Sequence, residues 1–131
     1  MQIKTERLLL RPFEEADAAD LYKYAKDPEV GPAAGWPPHG SVEESRNIIR
    51  LVLSGPESYA ICKKEDGRVI GAIALSLNGD SRLAEEEDEC ELGYWIGKPL
   101  WGQGLVTEAS EALLRRAFTE LGMRRVWCAY F

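Results

Sequence analysis

The stretch from Glu91 to Leu121, ELGYWIGKPLWGQGLVTEASEALLRRAFTEL, constrains the fold more than any other. Cys90 to Ile96 is apolar and aromatic and reads as a buried strand. Gly97-Lys98-Pro99 breaks it, and Gly102 and Gly104 lead into a new pattern. Leu105, Ala109, Ala112, Leu113, Ala117, Phe118 and Leu121 then fall on one face of a long helix. Gly122 is placed to end that helix as a left-handed cap, and Arg115 and Arg116 suit its negative C-terminal half. Arg125 to Phe131 reads as a further strand, so the helix crosses over between two strands and makes them parallel.

The turn has its own chemistry. The first N–H groups of a helix lack internal partners and sit at the positive end of its dipole. Glycines on the approach let a ligand reach the backbone, so a strand, a glycine turn and a helix together suit a phosphate group. The same two glycines would also serve a merely tight turn, and spacing alone leaves both readings open. Two other phosphate motifs are excluded. A dinucleotide fingerprint needs a third glycine where Thr107 stands, and the region about twenty residues on is basic (Arg124, Arg125). A P-loop needs Gly-Lys-Ser/Thr, whereas Gly97-Lys98 is followed by Pro99.

The remaining chain supplies a sheet and two helices. Ile3 to Phe13 carries three successive leucines and predicts a strand. Glu14 to Lys26 predicts a helix with Ala18, Leu21, Tyr22 and Ala25 on one face. A Gly- and Pro-rich loop containing Trp36-Pro-Pro-His39 follows. Ser41 and Glu44 form a capping box for a helix reaching about Ser54. Strands Tyr59 to Lys64 and Arg68 to Leu77 are joined through Asp66-Gly67, a hairpin signal. A loop rich in acids, Glu85 to Glu89, delivers the chain to the Glu91 strand. The predicted order is β-α-α-β-β-β-α-β, an α/β fold with a mixed central sheet flanked by helices. At 131 residues it is expected to be one domain, 1–131.

Composition narrows the partners. A net charge of −6 argues against nucleic acid. No apolar run approaches the ~20 residues of a membrane span, and the first residues lack the apolar core of a signal peptide. Cys62, Cys90 and Cys128 are scattered through strand-like runs, as small buried hydrophobes in a reducing, cytoplasmic setting would be. With His39 the single histidine, a zinc site is not expected.

The run from Glu91 to Ala109 resembles the acetyl-CoA-binding motif of the GNAT N-acetyltransferases, above all the branch of ribosomal-protein N-terminal (alanine or serine) acetyltransferases. The family pattern at the turn is Arg/Gln-x-x-Gly-x-Gly/Ala. Gly104 matches its central glycine, Trp101 stands for the leading Arg or Gln, and Val106 stands for the last small residue. Thr5-Glu-Arg-Leu-Leu-Leu-Arg-Pro12 and Val69-Ile-Gly-Ala-Ile73 extend the likeness over most of the chain.

The resemblance implies a GNAT-like fold, acetyl-CoA as co-substrate, no metal, and direct transfer to an amine. That amine is a small molecule or a protein N-terminus. The cofactor diphosphate would lie on Gly102, Gln103, Gly104, Leu105, Val106 and Thr107, and its pantetheine along the strand at Ile96, whose N–H is the candidate for the oxyanion. Glu91 is the candidate base, with Glu89, two residues back on the same face, as runner-up. Trp36 and His39 lie in a loop that shapes the acceptor site in similar proteins. Tyr94 and Trp95 alternate faces, so one would pack inward and one would line the acceptor tunnel; Tyr94 is the candidate. Glu108, in the first helical turn, must point away from the phosphates. The acidic run is either a solvated loop or a funnel for cationic acceptors.

By the same pattern the chain ends at the fifth family strand. The closing helix, the last two strands and a Tyr that often serves as general acid would then be missing, leaving a fragment or a fold completed by a partner chain. A homodimer is left open. A non-catalytic acyl-CoA-binding or interaction module is the alternative function.

Overall fold

A computed structural model describes residues 2–31, 36–77 and 89–128. Its six strands are β1 (Ile3–Lys4), β2 (Leu8–Arg11), β3 (Ser58–Lys63), β4 (Val69–Ser76), β5 (Glu89–Ile96) and β6 (Arg125–Cys128). They form one sheet in sequence order. All neighbours are antiparallel except β5 and β6, which are parallel and joined by the long helix, as the crossover required. The helices are α1 (Ala18–Ala25), α2 (Val42–Leu51) and α3 (Leu105–Thr119).

The first predicted strand is two. Thr5 turns the chain: its N–H donates to the Leu8 carbonyl at 2.9 Å, and the Leu8 N–H donates to its hydroxyl at 3.0 Å. Ile3 therefore comes back opposite Leu10. The first helix also starts later than its acids suggest, after a single 3-10 turn at Glu15–Asp17. There the Arg11 guanidinium grips the buried Asp17 carboxylate with two bonds of 2.8 Å, fastening the helix entry to β2. The Ser41 hydroxyl caps α2 by accepting from Glu44 N–H at 3.0 Å. The returning Glu44 carboxylate takes the Gly40 N–H, one residue earlier than a standard capping box. That helix stops at Leu51, short of Ser54. The Asp66-Gly67 hairpin forms as expected, with Gly67 at φ +73°.

Strand alternation splits the core between the two faces of the sheet. Leu8, Leu10, Tyr59, Ile61, Cys90, Leu92 and Ile96 pack with Leu105, Ala109, Leu113 and Ala117 of α3. On the opposite face Leu21, Ala25 and Ile49 pack with Trp36, Phe13 and Trp95. One polar strut crosses from the sheet to α3. Arg116 donates to both oxygens of the buried Glu57 carboxylate at 2.8 Å, and the Tyr59 hydroxyl donates to the same group at 2.8 Å. The Arg116 guanidinium, and then the Tyr59 hydroxyl, outweigh burial and hold Glu57 below the ordinary carboxylate range.

Cys62 and Cys90 are buried free thiols, and burial pushes Cys62 up to about 11. Cys128 is exposed, unlike the small buried hydrophobe its strand context suggests. Among the described residues no helix is long and apolar enough to cross a membrane, and no His, Cys, Asp and Glu cluster could hold a metal.

Candidate active site

The candidate site straddles β5. At the C-terminal end of that strand Gly97 breaks the ladder and a 3-10 turn, Lys98–Leu100, carries the chain sideways. The Trp101 ring N–H donates back to the Ile96 carbonyl at 2.9 Å, which fixes the turn to the strand it leaves. Gly102 and Gly104 both adopt left-handed backbone, φ +78° and +76°. L side chains rarely occupy that region, and a β-branched one is a genuine outlier there. Gly104 is the residue before α3, with no side-chain cap. Among the described residues no acceptor takes the N–H groups from Gly102 to Thr107. Space above Gly102 is open for at least 4 Å. The arrangement is a row of main-chain donors at the positive end of a 15-residue helix, which fits a diphosphate. The side chain of Leu105 packs into the core, Val106 is half-buried, and Gln103 and Thr107 are exposed.

Glu108 is kept from that row. Its carboxylate accepts from the Thr5 hydroxyl, from Arg7 N–H at 2.8 Å and from Arg7 Nε at 2.7 Å. Burial raises its pKa, but these bonds overcome that and hold it below the ordinary value. The same Arg7 donates through Nη1 to the Gln103 carbonyl at 3.0 Å. Arg7 thus clamps the glycine turn and satisfies the one acid in the first helical turn. The sequence reading missed this role, although Arg7 lay inside the Thr5–Pro12 stretch that carried the resemblance.

The β5 edge also fits the expected strand-like ligand. Gly97 N–H bonds the Ile70 carbonyl at 2.8 Å, and Gly71 is paired with Ile96. In an antiparallel ladder this makes residues 91, 93, 95 and 97 bond toward β4 and turns the amides of 92, 94 and 96 toward β6. The pairing of β5 with β6 runs only from Glu89↔Arg125 to Leu92↔Cys128. The Ile96 amide therefore lies on an edge that the described part of β6 does not reach.

On the other face, a cavity of about 530 Å³ opens between α1–α2 and β3–β5. It gathers four of the predicted residues, Trp36, His39, Glu91 and Tyr94. Both Tyr94 and Trp95 border it: Trp95 packs with the α1–α2 core, as one of the pair was expected to, and Tyr94 is exposed. Trp36 organises one wall, 5.1 Å from the His39 ring and edge-on to Trp95 at 5.4 Å. His39 is buried, with Nδ1 2.7 Å from the buried Ser45 hydroxyl. Burial lowers its pKa, against an opposing pull from Glu44, so the ring is neutral at pH 7. Glu89 is placed elsewhere. It is buried, accepts from the Trp127 ring N–H at 3.0 Å, and lies 3.8 and 4.0 Å from the Arg124 and Arg125 guanidinium groups. The acids at 85–88 lie outside the described residues.

Comparison with known proteins gives the same picture. Residues 7–131 match the sequence model of the Acetyltransferase (GNAT) domain family. The chain is 33% identical to an uncharacterised N-acetyltransferase, p20, of Bacillus licheniformis over 93% of its own length and 68% of the relative's. YdaF of Bacillus subtilis, whose name provisionally makes it a ribosomal N-acetyltransferase, is 38% identical over 47% of this chain and 31% of its own. Among solved structures, a GNAT-family acetyltransferase from Bacillus anthracis superimposes with a TM-score of 0.84 at 24% identity, covering 98% of this chain and 72% of that one.

Proposed function

The chain belongs to the GNAT acetyltransferase family and is an acyltransferase; from that premise we propose that it moves the acetyl group of acetyl-CoA directly to a primary amine within a ternary complex. The observation that carries this is the sharing of β5. One strand leads into a row of amides that no described residue partners, and it also presents Glu91 to a cavity on the side facing α1 and α2.

In this reading residues 1–131 form a single acetyltransferase domain. The N–H groups from Gly102 to Thr107, on Gly102, Gln103, Gly104, Leu105, Val106 and Thr107, hold the cofactor diphosphate. The pantetheine extends along the β5 edge at Ile96 as an added strand would. The acceptor amine enters the cavity beside Trp36, His39 and Tyr94 and loses a proton to Glu91, directly or through water. Its nitrogen then attacks the thioester carbonyl carbon. The Ile96 N–H supports the oxygen as negative charge builds, and the carbon–sulfur bond breaks. The nitrogen gives up its second proton to leave the neutral amide, and the departing thiolate takes up a proton to leave as the thiol. Glu89 keeps its partners on β6 and shapes the strand instead of serving as base. A cytoplasmic setting with free thiols suits this chemistry.

Thiol release from acetyl-CoA in the presence of amines and N-terminal peptides tests the proposal. Acceptor-dependent release is expected. Stabilisation by coenzyme A with no release toward any acceptor would instead indicate a non-catalytic acyl-CoA-binding module.

A further inference from the structure

We propose that the acceptor is a small primary amine carried on an apolar alkyl or aryl body, not the N-terminus of a polypeptide; this rests on the acetyl-transfer reading above. The walls of the cavity argue first. Phe13, Trp36, Ile48, Val52, Leu53 and Trp95 are among its lining residues. Its volume of about 530 Å³ is in the range of small-molecule sites.

Charge argues next. Two carboxylates, Glu44 and Glu91, line the space, and among the described residues no Lys or Arg does. Its one histidine is neutral. A monocation is drawn into such a cavity, and an acceptor bearing its own carboxylate is repelled. The Trp36 and Trp95 rings add aromatic surface for the cation.

Hydrogen bonding separates a small amine from a peptide. Every peptide residue brings an N–H and a C=O that need partners once dehydrated. The lining offers few neutral polar side chains for that purpose, Ser58, Ser76 and His39, whose Nδ1 is already engaged by Ser45. Its two carboxylates, Glu44 and Glu91, can accept from an N–H but give nothing to a C=O. Val52, part of the lining, is 62% exposed. An apolar acceptor body would cover that valine, whereas a hydrated peptide would not.

The test is a matched acceptor series with saturating acetyl-CoA: phenethylamine, ethylamine, phenylalanine and a tetrapeptide with a free N-terminal serine. We expect kcat/KM for phenethylamine to exceed that for ethylamine and for phenylalanine by about tenfold or more each, and to exceed that for the peptide. Val52→Ser is expected to shrink the phenethylamine-to-ethylamine ratio, and Glu44→Gln to raise KM for phenethylamine. Thermal shift with coenzyme A gives an independent reading. Phenethylamine should raise Tm where phenylalanine does not. A peptide turned over better than phenethylamine, or equal rates for phenethylamine and phenylalanine, overturns the proposal while leaving acetyl transfer standing. Absence of turnover with all four acceptors contradicts the transfer reading itself, and absence of a phenethylamine shift as well overturns the acceptor assignment.

Discussion

The two sides of β5 are built from different materials. Beyond its C-terminal end the chain presents main-chain amides, shaped by two glycines at positive φ and kept clear of acid because Thr5 and Arg7 draw Glu108 aside. Facing α1 and α2 it presents side chains: aromatic rings, two carboxylates and a neutral histidine. A backbone site reads a group every substrate molecule shares. A side-chain site can be altered residue by residue and so sets what is chosen. The two regions should therefore respond to mutation in opposite ways: the glycine turn to backbone changes only, the cavity to functional groups.

The strut beneath both regions gives the largest expected effect. Arg116 lies on the helix that the turn begins, and Glu57 precedes Tyr59, which lines the cavity. Arg116→Met leaves a buried carboxylate without its cation and should cost about 3–5 kcal/mol. That corresponds to a Tm loss on the order of 10 °C in thermal unfolding. The pH dependence carries the same signature. Arg116 first, and Tyr59 after it, depress the Glu57 pKa in the folded state. Its contribution is thus present above the ordinary value of 4.5 and is lost as pH falls through the folded value. The wild type should lose stability through that acid window, and the variant should lose less there.

A functional-group change comes next. Glu91→Gln should lower kcat/KM by about a hundredfold, the loss expected for a general base, with coenzyme A binding retained. A smaller effect is expected from Gly104→Val. Space is adequate there, the nearest atom to an added Cβ being Arg7 Nη2 at 3.6 Å, but φ +76° is costly for a β-branched residue. Strain of about 1–3 kcal/mol should weaken coenzyme A binding roughly tenfold or more by calorimetry. The smallest belongs to Gln103→Ala, between the two glycines. It should change affinity by less than about 0.5 kcal/mol. If Gln103→Ala weakened binding as much as Gly104→Val, the contrast between backbone and side-chain sites would collapse.

Much of this was legible in the sequence, for identifiable reasons. The α3 face at Leu105, Ala109, Leu113 and Ala117, the hairpin at Asp66-Gly67 and the positive φ values at Gly102, Gly104 and Gly122 follow from local periodicity and glycine chemistry. Phe118, expected on that face, is instead 48% exposed, and the helix ends at Thr119, before Leu121. The meeting of Trp36, His39, Glu91 and Tyr94 in one cavity came through the family likeness. Long-range pairing was not legible. Nothing local shows that the Thr5 hydroxyl turns β1 back on β2, that Glu108 reaches over a hundred residues to Arg7, or that Arg116 finds Glu57. Glu89 and Glu91 look equivalent by alternation. The placement of Trp127, Arg124 and Arg125 around Glu89 separates their surroundings.

The central claim concerns six backbone amides, and an amide-resolved titration tests it directly. In ¹H–¹⁵N correlation spectra, stepwise addition of coenzyme A should shift the signals from Gly102 to Thr107 together and more than those of the cavity wall at Ile48, Val52 and Leu53. Shifts confined to the cavity wall, with the 102–107 amides unmoved at saturation, would contradict the account.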